Sequence, residues 1–105
     1  LEFPRPERTR AGWRGVVMHV DAFGNLTTNL ERRHFQDLEG AVVIELLGRR
    51  IEGLVRTFGD GRPGQLVALI DSSGKLSICV VNGNAAATLG AQVGDRLEVS
   101  LTHVR

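Results

Sequence analysis

Two stretches of this chain concentrate side chains that can hold a polar small molecule. The first is Asp21-Ala22-Phe23-Gly24-Asn25-Leu26-Thr27-Thr28-Asn29. An aspartate can hold an ammonium group. An asparagine presents a donor and an acceptor side by side and can pair bidentately with an adenine edge. A phenylalanine offers a face for a base to stack on, worth about 1–3 kcal/mol per base in single-stranded nucleic-acid complexes. Polar groups gathered beside an aromatic suit a ligand site. Composition alone favours a plainer reading, a strand-to-helix connection with turn residues and a cap.

The second stretch is Asp71-Ser72-Ser73-Gly74-Lys75-Leu76-Ser77-Ile78, followed by Val81-Asn82-Gly83-Asn84-Ala85-Ala86. Its plain reading is a hairpin and then a capped helical turn. Its functional reading is a set of turn hydroxyls and amides for a carboxylate, with amides near Asn82 to Asn84 meeting the polar edge of a ring.

Nothing else assembles a complete active site. His19, His34 and His103 are far apart and lack ligand spacing with cysteine or carboxylate, so no metal site is expected. Ser72-Ser73 has no glycine-flanked nucleophile elbow and no evident base. The glycines of Gly59 to Gly64 lack the lysine and following helix of a phosphate loop. No catalytic residue is assigned.

The elements that must position these groups are short. With 105 residues the chain is expected to form one domain. Such a domain hides on the order of two-thirds of its unfolded surface, enough for one modest core. A net charge of +1 argues against a strongly basic nucleic-acid binder and against an acidic disordered chain. The single cysteine, Cys79, lies in an apolar run and has no partner for a disulfide. That points to a buried structural thiol and a reducing, cytoplasmic setting. No apolar stretch is long enough to span a membrane, and no signal peptide is visible. The first residue is leucine, which reads as a piece of a longer polypeptide.

Residues 1–12 hold two prolines and no periodicity, and read as an extended interdomain linker or arm. Strands are expected over Trp13–Val20, Ala41–Leu47, Arg50–Phe58, Gln65–Ile70, Lys75–Val81 and Asp95–Val104. A hairpin turn is expected at Gly48-Arg49-Arg50. Two segments look helical: Glu31–Leu38 after Asn29, and Asn84–Leu89 with Asn84 as cap and Gly90 as stop. Repeated short strands with turn chemistry between them argue for an all-β barrel or sandwich over residues 13–105.

In order along the chain, DxFGNxxTN, TFG, SSGxLxI, NGNAAxxLG and GD resemble the C-terminal domain of the S-adenosylmethionine hydrolases, whose relatives include the fluorinases and chlorinases. The resemblance covers nearly the whole chain, and DxFGNxxTN is its most specific part. It implies a closed, antiparallel Greek-key β-barrel of about seven strands. It implies a larger N-terminal α/β domain of the same polypeptide, absent from this chain, and a homotrimer whose ligand lies between neighbouring subunits.

Position by position, the resemblance assigns Asp21 to the methionine ammonium group and Asn25 to the adenine. Phe23 and Phe58 would wall the adenine pocket, and Ser72 and Ser73 would hold the methionine carboxylate. Backbone groups from Val80 to Asn82 would reach the adenine edge. S-adenosylmethionine is then substrate, with no separate cofactor. Water or hydroxide attacks the ribose 5′ carbon and methionine leaves as a neutral thioether. Water activation would belong to the N-terminal domain, and this domain would bind and orient. The chain departs from the family pattern at Ala22, Ser77 and Val81, which touches the edge contacts of the pocket. The rival classes are a nucleic-acid-binding barrel and a purely structural trimerisation barrel. The first wants a basic face with interleaved aromatics, and only Trp13 is flanked by arginines, Arg10 and Arg14.

Overall fold

The computed structural model describes residues 4–35 and 41–102. Eight antiparallel strands build one sheet: β1 (Glu7–Arg8), β2 (Gly12–Val20), β3 (Leu26–Glu31), β4 (Ala41–Leu46), β5 (Arg49–Glu52), β6 (Leu66–Ile70), β7 (Lys75–Val80) and β8 (Arg96–Thr102). One short helix, α1 (Ala85–Leu89), follows β7. The strand order is β5-β4-β8-β2-β3-β7-β6, with β1 added along β2. The β3-to-β4 and β7-to-β8 connections each pass over two strands, the Greek-key pattern. The sheet curls until β5 and β6 approach one another. Chain beyond β5 completes the approach, as the Val55 amide donates to the Ala68 carbonyl at 2.9 Å. The expected all-β barrel is present and nearly closed.

Alternation explains which face of each strand fills the barrel. In β3, Leu26, Thr28 and Leu30 are buried while Thr27, Asn29 and Glu31 are half-exposed. Leu26, Leu30, Ile44, Leu76, Ile78 and Leu97 are all fully buried in one cluster. Each such side chain stabilises the fold by about 1.5–3 kcal/mol. β7 is buried on both faces. Its outward residue Cys79, with Val81 just past the strand's end, packs with Val67 and Leu69 in a second, smaller cluster that Val55 helps to cover. Cys79 is therefore buried, and burial, with the nearby carboxylates of Asp21 and Asp71, pushes its thiol up to about 12.

Several local expectations are corrected. The stretch after Asn25 is a strand, β3, rather than a lead-in to a helix. Of the helix expected over Glu31–Leu38, the described residues form a single 3-10 turn, Arg32–His34. In it the Glu31 amide donates to His34 Nδ1 at 2.8 Å, one half of a capping box, and the Phe35 amide returns to the Arg32 carbonyl at 3.0 Å. Gln36, Asp37 and Leu38 lie outside the described residues, as do His103 and Val104. The hairpin turn is Leu47-Gly48, both at positive φ, and Arg49 already pairs with Leu46. The strand expected to reach Phe58 ends at Glu52, where Gly53 turns to a φ of 79°. The arm is hydrogen-bonded back to the barrel: Glu7 and Arg8 pair with Arg14 and Trp13, and the Arg8 guanidinium sits 5.3 Å from the Trp13 ring centre.

Candidate functional site

The first half of the DAFGN stretch is a closed turn between β2 and β3. Asp21 Oδ1 accepts from the amides of Phe23 at 2.8 Å and Asn25 at 2.9 Å. Asp21 Oδ2 accepts from Asn25 Nδ2 at 3.2 Å. Partial burial pushes this carboxyl up, but the two amides and the Asn25 side chain outweigh it and hold it below its ordinary value. Asp21 is thus a carboxylate that fixes the turn, with capacity on Oδ2 left for one more donor. Asn25 keeps its Oδ1 and its second Nδ2 proton, a donor–acceptor pair of the kind an adenine edge matches.

The second half of the stretch ties strands together. Thr28 is buried, and its hydroxyl donates to the Leu76 carbonyl at 2.9 Å and accepts from the Leu30 amide at 3.1 Å. It spans a register shift between β3 and β7. Asn29 Oδ1 accepts from the Val16 amide at 2.9 Å, and Asn29 Nδ2 donates to the Pro4 carbonyl at 3.1 Å. Thr28 and Asn29 tie β3 to its neighbours and to the arm.

The β6–β7 turn follows the same plan. Asp71 Oδ1 accepts from the Ser73 amide at 2.9 Å, the Ser73 hydroxyl at 2.6 Å and the Lys75 amide at 3.1 Å. Asp71 Oδ2 accepts from the Ser77 hydroxyl at 2.6 Å. Burial raises this carboxyl, and the Ser73 and Ser77 hydroxyls with the Lys75 and Ser73 amides more than offset it, so it too is held low. The two serines of the tip are consequently different. Ser73 has spent its only hydroxyl proton on Asp71, whereas the exposed Ser72 hydroxyl makes no hydrogen bond among the described residues. Ser72 is the one that can donate to a carboxylate.

Four of the eight expected residues line one open cavity of about 700 Å³: Phe23, Asn25, Val80 and Asn82. Gly59, Gly61, Pro63, Val81 and Gly83 also line it. Its size is that of a small-ligand site. Phe23 is 76% exposed, a large apolar face standing in solvent at its rim. Phe58 opens the 3-10 turn Phe58–Asp60, whose Gly59 contributes to the wall. Asp60 holds that turn by accepting from the Arg56 and Thr57 amides. Glycine density was the only sequence signal for the Gly59–Pro63 wall, and composition reads it simply as a loop.

Asp21, Ser72 and Ser73 lie outside the cavity. They are related to it through the outer face of the sheet. Leu26 and Ile78 are paired and buried inside the barrel, so their neighbours Asn25 and Cys79 face outward. The next outward row is His19, Thr27, Ser77 and Leu69. Asp71 hydrogen-bonds Ser77 from the far side of that row and turns back opposite Lys75. The two aspartate turns therefore sit at opposite ends of the β3–β7 pair but on one face, about four residues or about 13 Å apart along β7. They do not form a single pocket wall; they bound the two ends of a lane on which Thr27 is half-exposed and Ser77, Cys79 and Leu69 are buried. A second hollow, about 1060 Å³, opens beside that lane beneath Pro4–Pro6 and includes Met18, Thr27 and Lys75.

The helix following β7 locks onto the first turn. The Ala86 amide donates to the Gly24 carbonyl at 2.9 Å. Asn84 caps α1, its Oδ1 accepting from the Ala87 amide at 2.8 Å. Gly24 has a φ of 82°, and a Cβ there would fall 1.9 Å from Asn84 Oδ1. The DAFGN and NGNAA motifs are thus two halves of one joint.

Comparison with known proteins agrees with the fold. Residues 15–98 match the SAM hydroxide adenosyltransferase C-terminal domain. The chain is 36% identical over 96 residues to the (R)-S-adenosyl-L-methionine hydrolase of Salinispora tropica, covering 91% of this chain and 35% of that protein. It is 36% identical over 83 residues to the hydrolase of the same name from Thermus thermophilus, covering 79% of this chain and 30% of that protein. Among solved structures, a conserved protein of Thermotoga maritima superposes with a TM-score of 0.79 at 30% identity, over 95% of this chain and 39% of that one. A conserved hypothetical protein of Thermus thermophilus superposes with a TM-score of 0.72 at 31% identity, over 94% and 39%. The chain spans about a third of the length of the hydrolases it matches. With its family model matched over most of its length, and its two signature turns built as one face, the chain belongs to the SAM hydroxide adenosyltransferase C-terminal domain family.

Proposed function

We propose that this domain binds S-adenosyl-L-methionine for a hydrolase that releases adenosine and L-methionine. The observation that carries the reading is the outward lane with a recognition group at each end. At one end Asn25, Phe23, Val80 and Asn82 line a cavity of nucleoside size. At the other, Ser72 offers a hydroxyl proton for a carboxylate, while Asp21, in the same turn as Asn25, keeps an ionised oxygen with room for one more substrate donor. The separation of about 13 Å suits an extended ligand with a purine at one end and an amino acid at the other.

The reaction asks little acid catalysis, because the sulfonium already leaves as a neutral thioether. It asks for alignment of the attacking oxygen, the ribose 5′ carbon and the sulfur, a proximity contribution. This domain supplies that by holding both ends of the substrate. An N-terminal domain of the same polypeptide would supply the water-activating groups, with neighbouring subunits of a homotrimer closing the site. The buried, unpaired Cys79 suits a reducing cytoplasmic setting.

The test is titration calorimetry with S-adenosyl-L-methionine on the full-length protein, with chromatography of the products. The wild type should bind and release adenosine and methionine in equal amounts. Asp21→Asn keeps the turn's shape but drops the charge, and should weaken binding on the order of tenfold or more. Asn25→Ala should weaken adenosine and S-adenosyl-L-methionine alike. Unchanged affinity in both variants would refute the reading.

A further inference from the structure

We infer that Asn84 is a positioning residue for the nucleoside end of this site, acting through Gly24 on Phe23 and Asn25. The inference rests on the function proposed above. Phe23 is 76% exposed, so burial does not hold its ring in place. Its backbone neighbour Gly24 is held instead, from two sides. The Ala86 amide at the start of α1 donates to the Gly24 carbonyl at 2.9 Å. The Asn84 carboxamide lies against the Gly24 Cα so closely that no side chain fits between them. The same carboxamide caps α1 through the Ala87 amide, so it sets where α1 begins and hence where Ala86 points. One side chain therefore fixes both restraints on Gly24. Phe23 and Asn25, on either side of Gly24, are both cavity-lining. Asn84 does not itself line that cavity, which makes its influence indirect.

The experiment measures steady-state kinetics of the full-length protein with S-adenosyl-L-methionine, together with adenosine and methionine affinities and the melting temperature. Asn84→Ala removes cap and contact. It should raise KM and the adenosine dissociation constant about fivefold, the equivalent of one lost helix cap. Methionine affinity should stay within about twofold, because the Ser72 end of the lane is unaffected. Asn84→Asp keeps the accepting oxygen and should restore the adenosine affinity. A further pair keeps the idea testable if Asn84→Ala unfolds. Gly24→Ala should damage adenosine binding, and adding Asn84→Gly, which removes the obstructing carboxamide, should recover part of the loss. An Asn84→Ala protein that binds adenosine like wild type would overturn the inference. So would equal losses for adenosine and methionine, no rescue by Asn84→Asp, or strictly additive effects of Gly24→Ala and Asn84→Gly. A wild type that binds neither S-adenosyl-L-methionine nor adenosine would instead overturn the proposed function itself.

Discussion

Asp71 holds four donors on one carboxylate, and its charge is what makes them compatible. Burial works against that charge, but the hydroxyls and amides win and the folded carboxyl lies below its ordinary value of 3.8. The unfolded chain therefore takes up the proton first as pH falls. The turn's contribution is complete above 3.8 and is lost as the pH drops through the lower folded value. Asp71→Asn should lower the melting temperature at neutral pH, and its deficit should shrink below that window; thermal melts across acid pH check it. His34 acts in the same direction at a higher pH. Burial, then the Arg33 charge, lowers it from 6.5, and its Nδ1 already accepts from the Glu31 amide, so protonation there would cost that bond. Stability tied to His34 is present above 6.5 and declines as the pH falls below it. His34→Gln should flatten the stability profile just below 6.5, measured by denaturant midpoint. The aspartates were legible in the sequence as turn formers. The different fates of Ser72 and Ser73 were not, since hydroxyl direction depends on where Asp71 folds.

Two glycines with the same backbone show what an element adds to a residue. Gly24 and Gly74 both close Asp-x-x-Gly turns, and both have a φ of 82°. Around Gly74 nothing lies within 4 Å of where a Cβ would stand, whereas at Gly24 the Asn84 side chain occupies the spot. Gly74→Ala should therefore cost only the left-handed strain, about 1–2 kcal/mol. Gly24→Ala should cost that and more, because α1 must shift to admit the methyl group. Urea denaturation midpoints of the two variants make the comparison directly, and equal losses would contradict the joint between turn and helix. The Asp21 and Asp71 turns and the Asn84–Gly90 frame of α1 could be read from residue type, whereas the β4–β5 turn could not, since it puts Leu47 at a positive φ. β3 was missed because Thr27, Thr28 and Asn29 are as good in turns as in strands, and only pairing with β2 and β7 decides between them. Of the helix expected after it, the described residues form one 3-10 turn, in which His34 packs against Trp13, ring centres 4.5 Å apart, and accepts from the Glu31 amide.

Across the whole molecule, burial separates holding a ligand from transforming it. A group that activates water works best with a pKa near the working pH. The two carboxylates that bound the lane are both held low and stay ionised, poor bases at neutral pH. The Cys79 thiol beside them is buried and pushed up to about 12, so it is neither nucleophile nor base. The face is built to bind. The 105-residue chain by itself is therefore expected to release no adenosine from S-adenosyl-L-methionine, even where it retains affinity for adenosine. Incubation of the purified chain with substrate, followed by chromatography, makes the measurement. Release that disappears in Asp21→Asn would mean that the lane carries out chemistry as well as recognition. The barrel was legible as an all-β domain from its short strands and turns, yet the lane was not. It exists only because the β3–β7 register brings Asn25, Thr27 and Ser77 to one outer face, a pairing that no local pattern specifies.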